Sequence, residues 1–457
     1  MGGIFKAYDV RGTVPDQLNE AIAKQIGLAF HFVLDADDRA HGNSIVVSRD
    51  MRSHSPGLQA AAIEGLRESG LDVIDIGLAT TPMNYFAVGS LKTAGGVQTT
   101  ASHNPAQYNG LKFSKSDARP VSGDHGIPLI ESSIASGNLP KAAKLGSLGT
   151  ASVFDAYGER VLSFLKRPAG SPALKVVVDA GNGMGGVTAV PVYRELGVEM
   201  TELYIEPDSN FPNHHPDPTV EENLQDLIAA VKKTHADVGI AFDGDGDRIG
   251  VVDETGRIIW GDELMVLLSR VVLEKQPGAT IIAEVKCSQT LFDDIERHGG
   301  NAIMWKAGHS LIKAKMKETG AVLAGEMSGH IFFADRYYGF DDATYVGARL
   351  IEILSQTDKP LSELLADLPQ TFSTPELRVD CPDDKKFDVV QKVADHFAET
   401  HEVITIDGAR ILFEHGWGLV RASNTQALLV LRFEADSDEQ LVAIRETVES
   451  VVNQLMG

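Results

Sequence analysis

The sequence predicts an α/β protein in which three similar mixed α/β domains precede a C-terminal α+β domain with an antiparallel sheet, the four arranged around one central cleft. Three observations carry that expectation. Strand-like runs alternate with helix-like runs through most of the chain. Beyond a Pro-punctuated stretch at 359–375, short strands lie between two helices, and each of the four stretches holds one polar loop beside a strand-like run. A chain of 457 residues also exceeds the size at which a single hydrophobic core usually stops growing.

In the first stretch, "SIVVS" (44–48), the Ala/Leu pattern of 58–66, "LDVIDIG" (71–77) and "GGVQTTA" (95–101) alternate as a parallel α/β sheet requires. A Ser/Gly/Ala/Lys-rich segment near 135–150 reads as a connector. The pattern restarts with "KVVVDAG" (175–181), a helix near 188–196, "EMTELYI" (199–205), a helix over 220–235 and "DVGIAFDG" (237–244). In that last helix Val220, Leu224, Leu227, Ile228 and Val231 fall on one face, as packing on a sheet demands. A third cycle runs "TIIAEVKC" (280–287), a helix at 289–298, "NAIMWK" (301–306), a helix at 309–318, "AVLAGE" (321–326) and a long helix near 342–356. The tail has a helix at 385–398, the strands "VITI", "ARILF", "GLVRAS" and "ALLVLRFEA", and a final helix near 438–454. The expected domains are 1–148, 149–255, 256–367 and 368–457.

Composition narrows the function. A net charge of −23, from 41 Lys plus Arg against 64 Asp plus Glu, repels nucleic acid and anionic membrane surfaces. An anionic partner must then be small and met by local basic residues, and neither nucleic acid nor membrane is expected. Two cysteines, Cys287 and Cys381, fit a reducing cytoplasm better than a disulfide scaffold. No apolar run approaches the roughly 20 residues of a membrane helix, and the start, Met1-Gly2-Gly3-Ile4-Phe5, lacks the pattern of a signal peptide. The expected location is the cytoplasm.

Open α/β sheets bind ligands beyond the carboxyl ends of their strands, so the loops there matter most. They read Ser102-His103-Asn104-Pro105, Asp243-Gly244-Asp245-Gly246-Asp247-Arg248 and Glu326-Met327-Ser328-Gly329-His330, and the tail adds Arg421-Ala422-Ser423-Asn424-Thr425 between two strands. The aspartates number like an EF-hand, but Arg248 replaces the glycine of its sharp turn and strands replace its helices. Alternating carboxylates separated by glycines can all turn to one side and hold a hard cation. Without nitrogen or sulfur ligands they favour Mg²⁺ sharing its shell with a phosphate oxygen.

Two other patterns compete for attention. Gly181, Gly183 and Gly186 match G-x-G-x-x-G after a strand, but tight strand-to-helix packing explains that spacing better than a dinucleotide. His214-His215, in a Pro-broken stretch, lacks zinc-site partners in sequence. Ser102 alone is an ordinary turn serine. Beside the aspartate loop, with His103 and Lys112 near, its hydroxyl becomes a nucleophile or a carrier of phosphate.

Together, "TASHNP", "DGDGDR", "GEMSGH" and "RASNT", in this order and at these separations, resemble the α-D-phosphohexomutase family and its bacterial phosphomannomutase/phosphoglucomutase branch. The resemblance runs from "FKAYDVRG" (5–12) to "LVLRFEAD" (429–436). It implies a phosphorylated Ser102 whose phosphate binds Mg²⁺ together with Asp243, Asp245 and Asp247. It gives sugar hydroxyls to Glu326 and Ser328, and the non-transferred phosphate to Arg421, Ser423, Asn424 and Thr425. Tyr8, Arg11, Lys112, Arg248, Lys286, His309 and His330 would line the cleft. One departure is visible: Gln426-Ala427 follow Thr425, where that branch often has proline.

The implied reaction moves a phosphoryl group from Ser102 to a hexose monophosphate (mannose or glucose), giving a 1,6-bisphosphate that turns round and returns its other phosphate. Hexose 1,6-bisphosphate is the expected activator. Lys112, His103 and His330 all stand open as proton carriers, with Arg248 spreading charge off the transferring group. A turning intermediate favours a lid, so the fourth domain is expected to close on a hinge near 365–372. Phosphoglucosamine mutase and a Mg²⁺-dependent sugar phosphatase are the alternatives on the same loops.

Overall fold

The computed structural model describes residues 3–121, 126–165, 173–423 and 427–456. Four sheets occur in chain order. The first is mixed, in the order Asp9–Thr13, Tyr108–Lys115, Gly95–Thr99, Ser44–Arg49, Asp72–Leu78 and Leu148–Thr150. Its last four strands run parallel, and Tyr108–Lys115 is antiparallel to both of its neighbours. The connector expected at 135–150 therefore ends in an edge strand, Leu148–Thr150. Its three residues are all exposed, so no buried face announced it in the sequence.

The second sheet runs Ile258–Ile259, Ile249–Asp253, Val238–Phe242, Lys175–Asp179 and Glu199–Leu203. The third runs Asn301–Trp305, Thr280–Glu284, Leu323–Gly325 and Ile331–Phe333. Both are parallel at the core and end in an antiparallel hairpin. Those two hairpins carry the aspartate loop and the "GEMSGH" loop. The fourth sheet is antiparallel throughout its ladder, and the helices Lys386–Ala398 and Asp438–Met456 pack on it.

Helices form where apolar spacing and caps agree. Glu20–Phe30 is capped by Asn19, whose side chain accepts from the Ile22 amide, and it buries Ala23, Ile26 and Phe30. It lies directly on Ser55–Glu68, an approach possible because Gly27 and Gly65 face each other's helix. A Cβ on either would collide with a backbone carbonyl, at Ala62 or Lys24. The helix expected over 220–235 is a 3₁₀ turn Glu221–Leu224 followed by Gln225–Thr234. Val220 precedes it in an extended conformation and is exposed, so it does not share the face of Leu227 and Val231.

The first and fourth units have cores of their own, and a further cluster joins the second and third with one face of the first, including Val46, Met83, Phe86 and Val88. Tyr193 and Ile240 of the second pack in it with Tyr345 and Val346 of the third, and the Thr188 and Thr344 hydroxyls meet at 2.8 Å. The fourth unit docks through Arg410. Its buried guanidinium donates to the carbonyls of Val285 and Cys287 at 2.6 and 2.8 Å, and stacks 3.8 Å over Trp417. No helix among the described residues is long and apolar enough to cross a membrane.

Candidate active site

The serine and aspartate loops meet face to face. Ser102, three residues past the strand Gly95–Thr99, has φ of 51°, an uncommon left-handed backbone for a residue with a side chain. Its hydroxyl donates to Asp243 Oδ2 at 2.7 Å and lies 3.2 Å from His103 Nδ1. Close approach dictates the intervening glycine, because a Cβ at Gly244 would strike the Ser102 carbonyl. Thr81 ties the same two units together. Its amide donates to the Asp245 carbonyl at 3.1 Å and its hydroxyl to Asp245 Oδ2 at 2.5 Å.

Asp243, Asp245 and Asp247 are all fully buried, and one oxygen of each lies within 4.8 Å of the others. The turn that gathers them closes on Asp243 Oδ1, which accepts from the amides of Gly246, Asp247 and Arg248. Burial, and then the charges of Asp247 and Asp245, push the Asp243 carboxyl well above its ordinary range. Burial would raise Asp245 as well, but the Lys112 ammonium and the Thr81 hydroxyl bring it below its ordinary value. Asp245 Oδ1 and Asp247 Oδ1 are buried with no hydrogen-bond partner. Orphaned carboxylate oxygens in an all-oxygen set suit a hard divalent ion, so the residues present fit a metal.

Lys112 reaches the trio from the antiparallel strand Tyr108–Lys115, its Nζ 2.7 Å from Asp245 Oδ2 and 2.6 Å from Asp247 Oδ2. Burial disfavours its charge, yet the two carboxylates carry its pKa well above the usual lysine value. His103 goes the other way: burial, then Arg248, Arg11 and Lys112, lower it well below the histidine range. At neutral pH the site thus pairs a charged lysine with a neutral histidine.

Contacts continue outward from Asp247. Arg248 donates through Nε to His330 Nε2 at 2.9 Å, while His330 Nδ1 lies 2.9 Å from Asp341 Oδ2 and 3.6 Å from Asp247 Oδ1. His330 stacks on His309 with ring centroids 5.5 Å apart, and Tyr8 meets His309 edge-on at 6.1 Å. Arg11 is held by Asp9 at 2.6 Å and reaches the Asn104 side chain at 3.5 Å. Glu326 Oε1 accepts from the Gly308 amide at 2.5 Å, and Ser328 Oγ lies 3.4 Å from Glu326 Oε2. Lys286 Nζ lies 3.2 Å from Glu376 and 3.5 Å from Glu284. Arg421 pairs with Asp407 at 3.0 Å, and Asp407 also accepts from the Ala307 amide at 3.0 Å. Ser423 is buried, its carbonyl accepting from Lys386 at 2.6 Å. Asn424 and Thr425, expected to bind phosphate, lie outside the described residues.

Several participants escaped the sequence reading: Arg52, Thr81, Glu284, Asp341, Glu376 and Asp407. Arg52 and Glu284 follow or end strands at their carboxyl edges, a position that could have marked them. His214, by contrast, pairs with Asp179 at 3.0 Å. The neighbouring glycines are tightly packed: a Cβ at Gly186 would strike the Ile205 carbonyl, and one at Gly183 would sit 3.0 Å from Gly244.

Three α/β units and an α+β unit, with strand-end loops that gather a hydroxyl, a carboxylate trio and a set of cations, have the architecture of a phosphohexomutase. The comparisons agree along the whole chain. Residues 2–140, 155–256 and 260–372 match the models for phosphoglucomutase/phosphomannomutase alpha/beta/alpha domains I, II and III, and residues 376–451 match that for the C-terminal domain. A phosphomannomutase/phosphoglucomutase of Pseudomonas putida is 47% identical over 97% of this chain and 94% of its own. A phosphoglucomutase of Neisseria gonorrhoeae is 45% identical over 98% of this chain and 96% of its own. The crystal structure of a phosphoglucomutase/phosphomannomutase family protein from Burkholderia thailandensis superposes with a TM-score of 0.89 at 43% identity, covering 99% of this chain and 97% of that one. The chain belongs to the phosphoglucomutase/phosphomannomutase family, whose enzymes are isomerases.

Proposed function

We propose that this protein interconverts hexose 1-phosphates and hexose 6-phosphates, of mannose, glucose or both, through a phosphorylated Ser102 and a hexose 1,6-bisphosphate. The observation that carries this reading is the Ser102 hydroxyl held 2.7 Å from Asp243 inside a buried carboxylate trio. An uncharged serine has no need of three carboxylates and a lysine around it; a phosphoserine with a cation does.

Asp243, Asp245 and Asp247, with an oxygen of phosphorylated Ser102, would hold Mg²⁺, which supplies positive charge against the transferring phosphoryl group. The chain's own residues do the rest. As the Ser102 Oγ–P bond breaks and a sugar O–P bond forms, the sugar hydroxyl releases a proton and Ser102 Oγ takes one up. His103 is neutral and 3.2 Å from Ser102 Oγ, placed to exchange a proton with the serine. Lys112 stays charged and steadies the carboxylates. His330, bonded to Arg248 at 2.9 Å and paired with Asp341, would act on the incoming sugar through Arg248. Glu326 and Ser328 hold sugar hydroxyls, while Arg421, Ser423, Asn424 and Thr425 hold the phosphate that stays. Tyr8, Arg11, Lys286 and His309 complete the wall. Arg421 offers a planar fork suited to bidentate phosphate contact.

We assign the domains to 1–148, 149–255, 256–367 and 368–457, with the fourth acting as a lid that closes near 365–372. The enzyme works in the cytoplasm on small sugar phosphates, with hexose 1,6-bisphosphate as activator and with neither nucleic acid nor membrane as partner. The test is an assay with glucose 1-phosphate or mannose 1-phosphate, Mg²⁺ and trace 1,6-bisphosphate. The expected product is the 6-phosphate, with no inorganic phosphate. Release of inorganic phosphate without the 6-phosphate would overturn the reading in favour of a phosphatase.

A further inference from the structure

The loop that carries Ser102 is built around a guanidinium from another strand. Arg52 follows the strand Ser44–Arg49 and is fully buried. Its Nη1 donates to the carbonyls of Pro105 and Tyr108 at 2.8 and 3.1 Å. Its Nη2 donates to those of Ser102 and Asn104 at 2.8 and 2.5 Å. Nε lies 3.2 Å from Asp50 Oδ2, and the Phe211 ring of the second unit covers the group at 5.2 Å. Asp50 is fixed in turn: its Oδ1 accepts from the Arg52 amide at 3.0 Å and from the Ser55 hydroxyl at 2.5 Å.

Four carbonyl dipoles pointing at one spot repel each other unless a cation sits among them. Arg52 occupies that spot, with a planar fork that matches four acceptors at once, which a lysine's three donors cannot do. The carbonyl of Ser102 is one of the four, so the same group bears on the left-handed backbone that aims Ser102 Oγ at Asp243.

We infer that Arg52 is a positioning residue for phosphoryl transfer: by gathering four carbonyls of the 102–108 loop it holds Ser102 Oγ against the aspartate trio. This rests on the reading of Ser102 as the phosphate carrier. Arg52 need touch neither sugar nor metal. Its loss should slow phosphate movement through Ser102 and leave sugar-phosphate and metal binding in place.

The test uses the full-length protein with Arg52→Met and Arg52→Lys. Mass spectrometry follows phosphorylation of the Ser102 peptide by glucose 1,6-bisphosphate, steady-state assays separate kcat from KM, and calorimetry measures Mg²⁺ affinity. Leu58→Ala, a cavity in the core of the same unit, controls for lost stability and should keep its kcat. For Arg52→Met, Ser102 phosphorylation and kcat should both fall at least 100-fold, with KM and Mg²⁺ affinity within threefold of wild type. For Arg52→Lys the fall should be at least tenfold with the same split. Should the Met variant fail to fold, the Lys variant decides. A folded variant that phosphorylates Ser102 at the wild-type rate overturns the inference, as does a loss matched by Leu58→Ala. Absence of Ser102 phosphorylation in the wild type would instead overturn the proposed function.

Discussion

Lys112 and Asp245 form a buried ion pair, Nζ to Oδ2 at 2.7 Å, inside the carboxylate trio itself. The ammonium neutralises oxygens of the group that would ligate a divalent ion, and like charges in so small a space compete. Lys112→Met should therefore bind Mg²⁺ more tightly, by about tenfold, which corresponds to about 1.4 kcal/mol. Calorimetric titration measures the gain. Turnover should fall in the same variant, because the lysine also steadies Asp247.

Asp243 does two jobs, accepting from Ser102 through Oδ2 and from three amides through Oδ1. Asp243→Asn keeps an acceptor for the amides and loses charge toward the cation. A folded protein is expected, with kcat lowered about 100-fold or more, in the range for losing one preorganised electrostatic contact. Circular dichroism and a coupled 6-phosphate assay check the two halves separately.

Arg421 is oriented by Asp407, which is itself pinned to the Ala307 amide of the third unit. Arg421→Lys keeps the charge and loses the fork. KM for the sugar phosphate should rise about tenfold while kcat changes little, since a contact kept throughout the reaction contributes uniform binding.

Glu284 titrates in the neutral range. Burial, opposed by Lys286 and reinforced by Glu326, raises its carboxyl to about 7. A folded-state value above the unfolded one means the stability this group contributes is complete below the unfolded pKa and is lost as pH rises toward 7. Glu284→Gln cannot ionise. Its melting temperature relative to wild type should therefore climb between pH 5 and pH 8, by the equivalent of roughly 1–3 kcal/mol. A difference independent of pH would mean Glu284 stays ionised throughout.

Arg410 fastens the fourth unit to the 285–289 segment. Arg410→Met leaves the buried carbonyls of Val285 and Cys287 without their donor, at a cost of about 2–4 kcal/mol. Small-angle scattering should then show a more open molecule that a sugar phosphate compacts less than it compacts the wild type.

The polar loops were legible because chemistry concentrates at strand ends, and strand ends can be read from apolar runs. Asp243, Asp245 and Asp247 announced themselves by spacing; Ser102 did so only in their company. Lys112 was found by nearness in sequence to the serine, and the structure brings it in from an antiparallel strand that sequence alternation did not reveal. Arg52, Asp341 and Asp407 were invisible for another reason. Their partners Ser102, His330 and Arg421 lie 50, 11 and 14 residues away, beyond the reach of any local pattern. Val220 misled because it fits the helical period just ahead of the first turn, where the chain is still extended.

The two bonds from Thr81 to Asp245, with the one from Ser102 to Asp243, mean that the hydroxyl and carboxylate cluster belongs to neither of the first two units but to the seam between them. Neither half can be inherited alone. A chimaera joining the first unit of one relative to the second of another must reproduce this seam residue for residue, so recombination between diverged copies should tolerate crossovers before Thr81 or after Asp245 far better than any between Ser102 and Asp243, which part both pairs.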